Sequence, residues 1–160
     1  MASIRQINVK PRRTGEHGLP KHPVPSVELD PAGPRGDFNN YRHETLHDEA
    51  ESAVLLMPAE TLTDLQREGW PVQPGDLGEN FTTEGIPYGD FHPGGRVHLG
   101  GTVVEVTRAC DPCDNLYLLP YVGPKRGPAF LKVMMGRRGW YAKVLKAGTV
   151  RVGDPVRLEP

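Results

Sequence analysis

A chain of 160 residues with 19 basic and 20 acidic side chains is long enough to bury a sizeable core, and its net charge of −1 gives no global field toward nucleic acid or anionic lipid. No apolar run approaches the roughly 18–20 residues of a membrane span. The opening Met1-Ala2-Ser3-Ile4-Arg5 lacks an apolar signal region, so a cytoplasmic protein is expected.

The 17 prolines and 19 glycines lie between apolar runs, which predicts many short strands joined by turns in one domain over 1–160. Ile4 to Val9 reads as an opening strand, followed by a loop from Pro11 to Pro25 containing Gly15, His17, Gly18 and His22. Val24 to Leu29 reads as a second strand, Asp30 to Asn40 as irregular, and Ala53 to Met57 as a short buried strand. Pro58 suits the first turn of a helix to about Glu68, with Leu62 and Leu65 inward and Gly69 as its cap.

Residues 73–86 start as a Gly-rich turn and run into Asn80-Phe81-Thr82-Thr83. Arg96 to Leu99 and Thr102 to Val106 predict a hairpin, with Gly100-Gly101 supplying two positive-φ positions. A second helix is expected over Lys125 to Met135, ended by Gly136. Trp140 to Leu145, Thr149 to Val152 and Pro155 to Leu158 complete the strands. The expected class is mainly β: a largely antiparallel β-barrel with a few helical insertions.

The only two cysteines fall in one window, Cys110-Asp111-Pro112-Cys113. Such a pair reads as a redox dithiol, as part of a zinc site, or as two small buried hydrophobes. Four thiolates around zinc are excluded by the cysteine count, and a thioredoxin-like motif needs a βαβ context that this pattern lacks. A short helix beginning at Asp114-Asn115 would lower the thiol pKa, whereas Asp111 and Asp114 would raise it.

A competing signal is His43-Glu44-Thr45-Leu46-His47, an H-E-x-x-H match whose histidines would sit one helical turn apart around zinc, with Glu44 as base. That alternative is a zinc hydrolase, with Glu68 at workable distance for a third ligand. Against it, Asn39-Asn40-Tyr41-Arg42 gives no clear helix start, and the following residues are very polar. His92 and His98 read as surface histidines.

Four ordered blocks remain: 75–85 (GDLGENFTTEG), Pro112-Cys113, 139–145 (GWYAKVL) and 148–154 (GTVRVGD). Together they resemble the MOSC domain, found at the C-terminus of molybdenum-cofactor sulfurases and as small stand-alone bacterial proteins. The resemblance spans nearly the whole chain and implies a strand-rich barrel and one functional cysteine, in a family associated with pyridoxal phosphate. In several members that cysteine carries a persulfide sulfur or ligates molybdenum in a pterin cofactor. Some members reduce N-hydroxylated compounds; others pass sulfur to a partner protein.

Carried over residue by residue, the family's cysteine falls on Cys113, its Gly-Glu-Asn block on Gly78, Glu79 and Asn80, and its strand tyrosine on Tyr141. Many stand-alone members have arginine three residues before the cysteine, where this chain has Cys110, a second thiol able to resolve a persulfide as a disulfide. The residue chemistry adds to this. Gly75 and Gly78 leave backbone N–H groups open to a phosphate or pterin oxygen, Asn80 offers a donor and an acceptor, and Arg137 and Arg138 suit a cofactor phosphate. The expectation is therefore a molybdenum–pterin cofactor, a sulfur donor or acceptor protein as partner, no nucleic acid and no membrane. Gly78, Glu79, Asn80, Cys113, Arg138 and Tyr141 should converge on one pocket.

Overall fold

The computed structural model describes residues 1–11 and 19–160; the expected loop residues Gly15, His17 and Gly18 lie outside them. The elements in order are β1 (Ser3–Val9), β2 (His22–Val24), β3 (Ser26–Asp30), β4 (Gly33–Pro34), α1 (Asn40–Glu44), β5 (Val54–Pro58) and α2 (Ala59–Arg67). There follow β6 (Phe81–Glu84), β7 (Arg96–Leu99), β8 (Thr102–Ala109), α3 (Gly123–Met134), β9 (Trp140–Lys146), β10 (Gly148–Arg151) and β11 (Val156–Leu158). Three single 3-10 turns cover Ala50–Ser52, Tyr88–Asp90 and Asp114–Leu118.

Eight strands form one sheet in the order β11-β7-β8-β9-β5-β6-β1-β2, and β10-β3-β4 form a second. The large sheet is largely antiparallel, as expected, but mixed: β5 and β6 run parallel, Leu56 opposite Phe81. A parallel pair needs a crossover, and α2 is part of it. Among the described residues the hydrogen-bonded ladder does not close on itself. An isolated antiparallel bridge between Ser3 and Pro155 nevertheless ties the start of β1 to the residues before β11, with Ile4 N–H donating to Asp154 O at 2.9 Å and Val156 N–H to Ala2 O at 3.0 Å.

β5 explains how the molecule divides. All five residues of its run VLLMP are buried, as expected of a strand covered on both faces. Side chains alternate along a strand. Val54 and Leu56 therefore join the main core with Ile4, Ile7, Phe81, Val104 and Ala142. On the other face, Met57 packs with Leu62 and Leu65 of α2 and Phe130 and Met134 of α3, while Leu55 packs with Cys110 and Tyr141. Each such aliphatic side chain contributes about 1.5–3 kcal/mol by leaving water. β9 repeats the division: Trp140 packs against the main core and Tyr141 faces the opposite side.

The helix over 58–68 forms as expected, one residue shorter at each end, with Gly69 at φ +98 after it. α3 begins two residues before the expected Lys125 and contains Pro128. Pro128 removes only its own N–H from the ladder, at a position whose i−4 partner is the Pro124 carbonyl. Pro25 splits the expected Val24–Leu29 strand into β2 and β3. In the β7–β8 hairpin only Gly100 takes positive φ, at +58, the pattern of a turn left-handed at its first central residue alone.

Candidate functional site

The site forms where β8 and β9 leave their ladder. Beyond the last pair, Ala109 with Trp140, Cys110 N–H donates to Gly139 O at 2.8 Å. Gly139 has φ +110, and a Cβ there would stand 2.7 Å from Leu56 O, so only glycine passes between β5 and the incoming chain. The Tyr88 hydroxyl donates to Gly139 O and accepts its N–H, both at 3.1 Å. These contacts hold Arg138, the preceding residue, in place. On the other side Cys113 leads the 3-10 turn Asp114–Leu118.

Cys110, Cys113, Arg138 and Tyr141 line one cleft, with Asn39 and Tyr41 also in its lining. Arg138 is only 5% exposed, and its Nε and Nη1 have no hydrogen-bond partner among the described residues. A buried guanidinium with idle donors is costly unless an acceptor comes to it. Burial raises the Cys113 thiol pKa; Arg138 and the Asn115 backbone N–H pull it down, while Cys110 and Asp114 push it up, and burial prevails. The helix-start effect expected at Asp114-Asn115 is thus present but outweighed. Burial also raises the phenols of Tyr88 and Tyr141, which keeps both protonated as donors.

Behind the cleft lies a buried ionic layer. Lys21 Nζ meets Asp37 Oδ2 at 2.5 Å, their side chains 1% and 8% exposed. Burial nevertheless leaves the Lys21 pKa below its ordinary value, against the pull of Asp37 and Glu79. Glu79 is fully buried, accepts from Thr82 Oγ1 at 2.8 Å, and burial raises its carboxyl pKa.

The structure brings together Cys113, Arg138 and Tyr141, but not Gly78, Glu79 and Asn80, which sit behind the wall. Asn80 spends its amide internally: Oδ1 accepts Leu55 N–H at 3.0 Å and Nδ2 donates to Asp37 at 2.8 Å. It borders an adjoining pocket that shares Asn39 with the cleft. A Cβ on Gly78 would meet Leu19 at 2.7 Å, and one on Gly75 would meet Lys21 O at 2.7 Å. This loop therefore grips the 19–21 segment instead of leaving N–H groups open to a phosphate. Arg137 is also committed elsewhere, with Nη1 and Nη2 to Glu68 at 2.5 and 2.8 Å.

The zinc geometry does not form. A helix does start at the unpromising Asn39, whose side chain accepts Arg42 N–H at 2.9 Å, but α1 ends at Glu44. His47 lies beyond it at φ +53, so His43 and His47 do not share a helix face around Glu44. His43 Nδ1 pairs with Asp48 Oδ2 at 2.7 Å, Glu68 is held by Arg137, and no metal-ligating group of three occurs among the described residues. The segment instead supplies Asn39, Asn40 and Tyr41 to the cleft. His92 is exposed, as expected; His98 is half-buried and pairs with Glu159 at 2.8 Å.

Sequence reasoning passed over Lys21, Asp37, Asn39, Tyr41 and Tyr88. Asn39 alone left a signal, as a capping residue ahead of a helix.

The family profile of the MOSC domain matches residues 43–157. Among solved structures, the chain is similar to YiiM from Geobacillus stearothermophilus, at 25% identity and TM-score 0.74, covering 100% of this chain and 76% of that one. The YUAD protein from Bacillus subtilis superposes with TM-score 0.79 at 19% identity, covering 99% and 96%, and YiiM from Escherichia coli with 0.71 at 20%, covering 100% and 70%. Comparison with curated proteins finds no match. With more than two thirds of its length matched by the profile, the chain belongs to the MOSC domain family.

Proposed function

We propose that the cleft is the working site of a single MOSC domain that binds a molybdenum–pterin cofactor and carries sulfur as a persulfide on Cys113. The carrying observation is Arg138: a buried guanidinium whose Nε and Nη1 have no partner among the described residues, on a side chain that lines the same cleft as the soft donor Cys113. That pair fits an anion attached to a soft centre, and a molybdenum–pterin phosphate or a persulfide are both such groups. When bound, the cofactor supplies two-electron redox chemistry of the kind needed to reduce N-hydroxylated substrates.

The chain's own residues supply the rest. Cys113 is the thiolate that ligates or accepts sulfur. Arg138 pairs with the anionic oxygen or sulfur, and Tyr141, held protonated, donates toward the cleft wall. Gly78, Glu79 and Asn80 act from behind the wall, Glu79 placing an acidic group near the Arg138 guanidinium. The partner is a sulfur donor or acceptor protein in the cytoplasm, where both free thiols stay reduced. The curled sheet is a barrel in this reading, supported by the Ser3–Pro155 bridge.

Elemental analysis and intact mass of protein from a host that makes the cofactor test this reading. Protein with Cys113 intact is expected to carry molybdenum or, in a Cys110→Ser background that cannot form a disulfide, one added sulfur. Cys113→Ser should lose both, and Arg138→Ala should lose most of either while staying folded. Full retention in Cys113→Ser refutes the assignment.

A further inference from the structure

We propose that Cys110 is the resolving thiol of this site: it attacks the inner sulfur of a Cys113 persulfide, forms a Cys110–Cys113 disulfide and expels the outer sulfur as hydrogen sulfide. The proposal rests on the persulfide reading above and adds to it a release step and a second reacting residue.

The two sulfurs differ in access and share a cleft. Both are free, Cys110 being 5% exposed and Cys113 more open. A sulfur donor therefore reaches Cys113, while Cys110 is available only to a neighbour within the same cleft. Cys110 is anchored through its N–H to Gly139 O at 2.8 Å, and its sulfur lies beside the Tyr141 hydroxyl, which donates to a developing thiolate. Between the thiols, Asp111 and Pro112 make no backbone–backbone hydrogen bond among the described residues; the Asp111 carbonyl accepts only the Cys110 Sγ–H, at 3.6 Å, a contact the attacking thiol gives up. The link can therefore adjust to the Cα separation below about 7 Å that a disulfide requires. Arg138 lines the same cleft, where its cation stabilises a departing hydrosulfide.

The step balances without an outside reagent. The Cys110 Sγ–Cys113 Sγ bond forms and the bond from Cys113 Sγ to the outer sulfur breaks. The outer sulfur takes the bonding pair and is reduced to sulfide, Cys110 Sγ is oxidised to the disulfide level, and Cys113 Sγ keeps the oxidation level it had in the persulfide. The Cys110 thiol proton leaves with the hydrosulfide as hydrogen sulfide. An external dithiol reductant then restores both thiols by exchange.

The test loads the reduced full chain with sodium polysulfide, removes the excess, and follows intact mass and released sulfide with no thiol added. Wild type should release its sulfur as sulfide and end two hydrogens lighter than the reduced chain. Cys110→Ser and Cys110→Ala should keep one extra sulfur on Cys113 and release it only when dithiothreitol is added. The wild-type mass alone reports the disulfide, so the result does not depend on either variant folding. Wild type that retains the extra sulfur as long as Cys110→Ser overturns the resolving role and leaves the persulfide reading standing. No extra sulfur on Cys113 in any of the three overturns both.

Discussion

At the scale of single residues, the site is a contest between burial and one cation. Burial lifts the Cys113 thiol above its ordinary pKa, and Arg138 is the largest influence in the other direction. The thiolate is the nucleophile, so its reactivity follows ionisation. Iodoacetamide labelling of Cys113 should accelerate only above the ordinary thiol range, which lies near about pH 8.5. In Arg138→Ala, with the cation gone, the midpoint should move further up. A midpoint that stays put in the variant would show that Arg138 does not act on the sulfur. Lys21 is the harder case: it meets Asp37 at 2.5 Å, yet the loss of hydration outweighs the ion pair. Removing one partner strands the other, which typically costs about 3–5 kcal/mol. Lys21→Met should therefore lower stability by about that amount in urea unfolding.

At the scale of elements, β5 and β9 carry the site on their outward faces and the main core on their inward ones. Leu55 and Tyr141 are opposite each other in the β5–β9 ladder and pack together with Cys110. The approach to β9 works only with glycine at position 139. Gly139→Ala imposes positive φ on an L-residue and drives Cβ to 2.7 Å from Leu56 O. The expected cost is about 1–3 kcal/mol of strain, with Arg138 displaced because its neighbour anchors it. Thermal unfolding and cofactor or sulfur retention should fall together. Lost retention at unchanged stability would contradict the packing argument.

At the scale of the whole molecule, the buried layer behind the cleft makes stability depend on pH. An unfolded glutamate titrates near about pH 4.3, and burial sets the folded Glu79 value above its ordinary one. Below the unfolded value both states hold the proton and ionisation adds no cost. As pH rises toward the folded value the unfolded chain ionises first, so it binds fewer protons and folding stability falls; above the folded value the loss is complete. Glu79→Gln removes this component. The difference in urea midpoint, variant minus wild type, should increase from about pH 4 to about pH 8. Parallel profiles would show that Glu79 binds protons alike in the folded and unfolded states.

Local chemistry was legible in the sequence because periodicity and turn residues act over a few positions. The opening strand, the buried run of β5, the helix ending before Gly69 and the β7–β8 hairpin were all readable in this way, as was the motif pattern around Cys113 and Tyr141. Tertiary structure alone decided which side each residue faces and what its polar atoms meet. Nothing local tells that Asn80 spends its amide on Leu55 and Asp37, or that Arg137 is bound to Glu68 while two donors of its neighbour Arg138 have no partner among the described residues. The H-E-x-x-H match failed for the same reason: a spacing becomes a ligand set only if the helix continues, and here it stops at Glu44. Hydrogen-bond partners brought together across 25 to 69 positions of chain are set by sheet order and packing, which no short stretch of residues encodes by itself.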